Sequence, residues 1–244
     1  MIATFTDFGA NGPYLGQVRA VLYRQAAGVP VIDVFPDLPG FDTRASAYLL
    51  PAYSQYLPAG TVCLCVVDPG VGGDRAALAV AADGRWYVGP DNGLLSLIIR
   101  RAACVSAYSI NWRPEHLSNS FHGRDVFAPV CARLACAGEP PGEPIEPAEL
   151  IIPDWPDDLA EVVYVDGYGN AITGLRADRL PVTSRLEMNG VVCCYRRTFD
   201  EARPQTPFWY ANANGLVEIA VPGASAGTTL NIGIGQPIHI MHSS

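Results

Sequence analysis

The sequence predicts an α/β N-terminal domain with a largely parallel sheet, followed by a smaller all-β, barrel-like domain. Three observations carry this. Over the first 137 residues, short apolar runs alternate with stretches of helical spacing, the pattern of an α/β layer. Between residues 138 and 156 the periodicity stops, and six of the chain's 21 prolines gather there among acidic residues, a linker composition. Beyond it, short β-rich runs are separated by Gly, Pro and Asn turns, as in a small barrel or sandwich. The boundaries drawn are residues 1–138, a Pro-rich linker over 139–158, and 159–244.

Taken in order, residues 2–5 form a strand ending in Thr6-Asp7-Phe8-Gly9. Residues 14–26 carry Leu15, Val18, Val21 and Leu22 at helical spacing, and 29–35 form a second strand closed by Pro36. Asp42 caps a helix running to about residue 50. Residues 62–67 are short, β-branched and uncharged, a strand buried on both faces. A hairpin follows over 76–88, turning at Asp83-Gly84. Gly89 to Gly93 then breaks the chain, with Asp91-Asn92-Gly93 most simply a turn before a helix over 94–101. A strand at 105–110 and a helix at 126–137 complete the first half. In the second half, strands are expected at 162–165, 186–194, 217–221, 229–234 and 238–241.

Composition narrows the function. Sixteen Lys+Arg against 24 Asp+Glu leave a net charge of −8, which argues against a nucleic-acid partner. No apolar run approaches a membrane span, and the N-terminus lacks the basic and apolar regions of a signal peptide, so a cytoplasmic protein is expected. The seven cysteines show no CxxC or Cys/His spacing and read as reduced core thiols; no metal site is expected. Charged residues make up only 16% of the chain, which suggests surface covered by partner subunits.

Polar residues punctuate the strand ends. Asp68 follows the apolar strand, with Arg75 seven residues on across a Gly-rich loop: either a turn with a surface ion pair, or a ligand site at the carboxyl edge of a sheet. Asp7 ends the first strand, where a carboxylate serves as a turn cap or receives a sugar's paired hydroxyls. His122, with Arg124 and Asp125 beside it, precedes a helix start, where unpaired amides lower an imidazole's proton affinity. In the β half, Asp166-Gly167-Tyr168-Gly169-Asn170 combines a carboxylate, an aromatic face and an amide. It is a glycine-rich turn, or a place where an amide meets a purine edge and a ring stacks on its face. DPGVGGDR lacks the ending of a P-loop, and neither GxGxxG after the first strand, GxSxG nor HExxH occurs.

TFTDFG at 4–9, PGFD at 39–42, VVDPGVG with Arg75, VGPDNG at 88–93, FHGRDVFAP at 121–129, VDGYGN at 165–170 and NANGLVEIAV at 212–221 follow one another in the chain. In this order they resemble the S-adenosyl-methionine hydroxide adenosyltransferases, adenosine-forming hydrolases related to fluorinating and chlorinating adenosyl enzymes. The resemblance implies hydrolysis of S-adenosyl-methionine, as substrate and without a cofactor, in a homotrimer whose sites lie between subunits. It implies a catalytic triad at Asp68, Arg75 and His122, with the ribose held by Asp7 and walled by Phe41. Asp166 would meet the methionine amine, Tyr168 the adenine face and Asn170 the adenine edge. Where the family carries a serine for the methionine carboxylate, this chain has Ala213, and Asn214 or a backbone amide is expected to substitute. In the halogenating relatives the Asp68 position is a tyrosine and the His122 position a small residue. Halide transfer and non-catalytic nucleoside binding are the alternatives to hydrolysis.

Overall fold

The computed structural model describes residues 1–140 and 142–241. By its contacts the chain divides into two units, Met1–Pro153 and the remainder from Asp154.

The first unit contains β1 (Ile2–Thr6), α1 (Pro13–Gln25), β2 (Val31–Phe35), α2 (Thr43–Ser54), β3 (Val62–Val66), β4 (Ala77–Ala82), β5 (Arg85–Pro90), α3 (Ser96–Arg101), β6 (Val105–Ile110), α4 (Ala128–Ala137) and β7 (Gly142–Ile145). Its seven strands form one sheet in the order β2-β1-β3-β5-β4-β6-β7. Every residue of β1 and β3 is buried, which is why both are free of charge and β3 reads as an uninterrupted apolar run. Helix α1 starts with Pro13 in its first turn and turns Leu15, Val18 and Leu22 inward. Asp42 caps α2 as expected, its carboxylate accepting the amide of Ala45 at 2.9 Å.

The expected largely parallel sheet is corrected to a mixed one. β2, β1, β3 and β5 run parallel, whereas β4, β6 and β7 pair antiparallel. The cause is the Asp83-Gly84 turn: both residues have positive φ (46° and 78°), the geometry of a two-residue hairpin, which forces β4 to run against β5. Part of the stretch read as a linker is also folded. Residues 142–145 form β7 at the edge of this sheet, and the helical turn Pro147–Leu150 follows.

The second unit contains β8 (Leu159–Val165), β9 (Ala171–Arg176), β10 (Arg185–Met188), β11 (Val191–Tyr195), β12 (Phe208–Ala211), β13 (Leu216–Ala220), the short helix α5 (Ala226–Thr229) and β14 (His239–Met241). The sheet order is β14-β10-β11-β12-β13-β9-β8, antiparallel except for the parallel pair β11–β12. The segment leading into β14 bonds back to β8, with Val162 N–H donating to Gln236 O and Ile238 N–H to Ala160 O, so the sheet curls on itself. Two strand expectations are corrected. Residues 186–194 are a hairpin, because Asn189 and Gly190 both take positive φ and reverse the chain. Residues 229–234 are not a strand: Thr229 ends α5, whose N-cap Ser225 accepts the amide of Thr228, and the rest follow it. Among the described residues no helix is long and apolar enough to cross a membrane.

Candidate active site

In the first unit, β1 lies between β2 and β3, with Thr6 paired to Val66. The β1-to-β2 crossover runs one way along the sheet and the β2-to-β3 crossover returns past β1, so the carboxyl edge between β1 and β3 is a switch point where ligands gather in open α/β sheets. Asp7 and Asp68 both emerge there, and Asp7 N–H donates to Val66 O. The Asn92 side chain donates to Val67 O at 2.9 Å and accepts the amide of Leu94 at 3.2 Å, so it holds the exit of β3 as well as making a turn.

Asp68 and Arg75 form a bidentate pair: Nε donates to one carboxylate oxygen at 2.7 Å and Nη2 to the other. Their side chains are 5% and 13% exposed, so the pair is buried and not a solvated surface bridge. The loop between them folds back tightly. Gly72 has a φ of 86°, and a Cβ there would strike the Asn119 carbonyl, so glycine is required. The guanidinium also lies 5.4 Å from the centre of the Phe127 ring.

His122 completes the cluster, its Nδ1 3.4 Å from Arg75 Nη2. Because a guanidinium only donates, the neutral ring meets it with an unprotonated Nδ1 and carries its hydrogen on Nε2. Burial first, and then the neighbouring Arg75 charge, push the imidazole below its ordinary 6.5. His122 leads into a π-turn at Gly123–Phe127, which runs into α4. Gly123 permits this turn, since a Cβ there would come within 2.8 Å of the Phe8 ring. Arg124 and Asp125 are structural partners: Arg124 binds both Asp125 oxygens and reaches Gln17 on α1, and Asp125 accepts the amide of Ser118.

A cleft of about 590 Å³ opens over this edge, lined by Asp7, Phe41, Asp68, Val71, Phe121 and His122 among others. Burial is the largest influence on Asp7 and raises its carboxyl, while the hydrogen bond from the Phe41 amide opposes that shift. Phe41 itself takes φ 62°, a left-handed conformation uncommon for an aromatic residue, and its ring is 81% exposed.

In the second unit, Asp166 organises the VDGYGN turn. One oxygen accepts the amides of Tyr168 (2.9 Å) and Asn170 (2.8 Å), and the other lies 3.3 Å from the Asn170 side-chain nitrogen. Gly169 has φ 84°, and any Cβ there would collide with Ser225. A cavity of about 700 Å³ is lined by Asp166, Tyr168, Asn170, Phe199, Tyr210 and Glu218 among others. Tyr168 is 85% exposed at its rim, whereas Asn170 is 8% exposed. Asn214 is not among the residues lining it; its amide donates to Asn212 Oδ1 at 3.0 Å.

Asp7, Phe41, Asp68 and His122 thus line one cleft, Arg75 is held by Asp68 and lines an adjoining cavity that His122 also borders, and Asp166, Tyr168 and Asn170 line one cavity in the second unit. Sequence reasoning passed over Glu218, which is only 5% exposed on β13. Tyr210 O–H and Asn212 Nδ2 (2.9 Å) both donate to its carboxyl, and burial raises its pKa. The signal was present in the sequence: one acid inside the otherwise apolar run LVEIA.

A carboxylate, guanidinium and neutral imidazole at a switch point, with a separate aromatic and amide cavity in a β unit, define a small-molecule enzyme of the nucleoside-handling kind. The comparisons narrow this to one family. The SAM hydroxide adenosyltransferase N-terminal domain matches residues 2–143 and its C-terminal domain residues 160–239. The chain is 41% identical to the (R)-S-adenosyl-L-methionine hydrolase of Thermus thermophilus, over 97% of each protein. It is 22% identical to a fluorinase of Actinopolyspora mzabensis, over 100% of this chain and 97% of that protein. An uncharacterised conserved protein of Thermotoga maritima has a similar structure, with a TM-score of 0.88 and 26% identity over 99% of this chain and 100% of that one. The chain belongs to the SAM hydroxide adenosyltransferase family.

Proposed function

We propose that this protein hydrolyses S-adenosyl-methionine to adenosine and methionine through attack of a water-derived hydroxide on the ribose C5′. The observation that carries the reading is the Asp68–Arg75 pair with His122 beside it, Asp68 and His122 opening on one cleft. The C5′–O bond forms as the C5′–S bond breaks, and its electron pair returns to sulfur, leaving neutral methionine thioether. An anion and a sulfonium cancel charge towards the transition state, so a dry, preorganised cleft favours reaction. Positioning oxygen in line with sulfur contributes up to about 7–11 kcal/mol in ideal cases. The scheme uses no metal and no cofactor.

In this reading Arg75 stabilises the incipient hydroxide, Asp68 orients the water, and His122 takes its proton at Nδ1, the ring nitrogen without hydrogen, where the water displaces the 3.4 Å contact from Arg75. Asp7 receives the ribose hydroxyls beside the Phe41 ring. Asp166 meets the methionine amine, Tyr168 stacks on adenine and Asn170 meets its edge. Asp166 accepts three bonds from its own turn, yet a carboxylate offers about four acceptor positions, so an ammonium still fits. Asn214 or a nearby backbone amide holds the methionine carboxylate in place of the hydroxyl that Ala213 lacks. We assign a homotrimer with the site shared between neighbouring subunits: the residues divide between the two units, and the aromatic rings at positions 41 and 168 are each more than four-fifths exposed. A cytoplasmic location fits seven cysteines that are all free thiols.

Incubating the purified protein with S-adenosyl-methionine and separating the products gives adenosine and methionine in equal amounts. A reaction mixture without adenosine rejects the proposal. A halide in place of water would face the Asp68 carboxylate, so in chloride or fluoride buffers adenosine forms faster than any 5′-halogenated adenosine.

The acid limb of kcat/KM reports His122 in the free enzyme. Its proton affinity is lowered, so the imidazole stays neutral to lower pH than a free one, and kcat/KM falls only as pH drops below about 6.5. A limb centred well above that value, or one that persists in His122→Gln, would count against His122 as the acceptor.

A further inference from the structure

Beside the Asp68–Arg75–His122 cluster the first unit holds a second cavity, of about 270 Å³, lined by Gly72, Asp74, Arg75, Arg113, Asn119 and His122 among others. His122 also lines the substrate cleft, whereas Arg75 and Arg113 do not, so its ring borders both spaces. The walls of this cavity carry donors that the protein leaves unused. An arginine has five N–H groups. Arg113 gives Nη1 to the carbonyls of Ile110 (2.9 Å) and Trp112 (2.8 Å), which fixes its head, and among the described residues nothing accepts from its Nε or Nη2. Arg75 gives Nε and Nη2 to Asp68, and among the same residues its Nη1 has no acceptor either. The Asn119 side chain likewise makes no hydrogen bond to them, although its carbonyl lies tight against Gly72 and closes the rim. The buried Val126 and Phe127 give the cavity an apolar floor, which strengthens any charge interaction above it. Asp74 is the acid on its wall, exposed and without an ion pair among the described residues.

We propose that this cavity binds a small inorganic oxyanion, held between Arg113 and Arg75 across His122 from the substrate cleft. The free edge of Arg113, Nε with Nη2, is the planar fork that meets two oxygens of one anion at once. Arg75 Nη1 and the Asn119 amide supply further donors, and the exposed Arg113 and Asp74 leave the ion an entry from solvent. The charge of Arg113 reaches the catalytic ring: burial and Arg75 lower the proton affinity of His122 most, and Arg113 adds a smaller share. In the hydrolase reading a bound oxyanion shares the Arg75 charge that stabilises the incipient hydroxide, and so lowers turnover without entering the cleft. The binding site stands without that reading; the inhibition rests on it.

The experiment is calorimetric titration of the full chain with sodium sulfate, the ionic strength being held constant with sodium chloride. Saturable sulfate binding is expected. Arg113→Gln removes the charge and the fork, and weakens that binding by about tenfold or more. Asp74→Asn removes the opposing charge and tightens it by about twofold to fivefold. Thermal unfolding checks that each variant folds. Should Arg113→Gln not fold, Arg113→Lys takes its place: it keeps the charge, loses the fork and binds sulfate about threefold to tenfold more weakly. The site is overturned by the absence of saturable binding, by a folded Arg113 variant of wild-type affinity, or by an Asp74→Asn protein that binds sulfate no more tightly than wild type. In turnover assays sulfate is expected to lower kcat and leave KM near its sulfate-free value, and this effect is lost in Arg113→Gln. Sulfate that leaves kcat unchanged, or acts only by raising KM, overturns the inhibition. The two readings fail separately. Sulfate binding that depends on Arg113 in a protein that makes no adenosine rejects the hydrolase and leaves the site standing, whereas an active hydrolase that binds no sulfate does the reverse.

Discussion

Asp68→Asn lowers adenosine formation by about 10²–10⁴-fold while substrate affinity changes by less than about threefold, the pattern for a group that acts chiefly in the transition state. The choice of asparagine matters. Asp68 and Arg75 are buried together, and truncation to alanine would strand a guanidinium that is 13% exposed, a change that costs about 3–5 kcal/mol in such sites. Asparagine keeps the shape and one acceptor for Arg75 but loses the charge that orients the water. Single-turnover kinetics and equilibrium binding of substrate, measured on the same preparation, separate the two effects. If Asp68→Asn turns over at the wild-type rate, the cluster is a structural ion pair and the proposed mechanism falls. A protein that only binds nucleosides has no turnover to lose, so the wild-type control also decides between enzyme and binder.

The second large effect is recovery of activity from two inactive proteins. Asp68→Asn damages the first-unit half of the site and Asn170→Ala the second-unit half. When subunits exchange in a closed ring with repeating head-to-tail contacts, about a quarter of the shared sites in an equal mixture join two undamaged halves. The mixture is therefore expected to regain about a quarter of wild-type activity. If each chain builds its own pocket, every site keeps one lesion and nothing returns. That outcome, with subunit exchange shown by mass spectrometry, would refute the shared site.

Much of the first unit was legible because burial leaves a direct mark on sequence. The runs that became β1 and β3 are uncharged and β-branched since both faces are covered, and Asp7 and Asp68 stand out as the first polar residues after them. The direction of β4 was not so marked. An apolar strand reads the same whichever way it runs, and only the Asp83-Gly84 turn betrays the antiparallel half of the sheet. In residues 139–158 the prolines read as a linker, but proline is also tolerated on edge strands, where a missing N–H faces outward, and so β7 escaped notice. The second unit was harder, because its corners rest on single residues. Asn189-Gly190 divides what looked like one strand, and Ser225 caps a helix of only four residues.

The candidate site was legible as separate clusters and not as an arrangement. Asp68 and Arg75 lie seven residues apart and declare themselves, but the approach of His122, 47 residues beyond Arg75, follows from how α4 packs on the sheet. Glu218 was hidden for the opposite reason. It lies within a fully buried strand, where an acid is rare enough to be diagnostic, yet its partners Tyr210 and Asn212 are declared only once β12 pairs with β13.

The conformation of Phe41 sets an energy balance at the mouth of the first-unit cleft. A non-glycine residue in the left-handed region costs about 1–3 kcal/mol. A hydrogen bond to a charged group contributes about 1.5–3 kcal/mol, and Phe41 N–H makes one such bond, to Asp7. The two magnitudes are comparable, so the bond to Asp7 offsets the strain at Phe41. The aromatic wall and the carboxylate beneath it are therefore one energetic unit, and whatever Asp7 binds bears on how Phe41 is held.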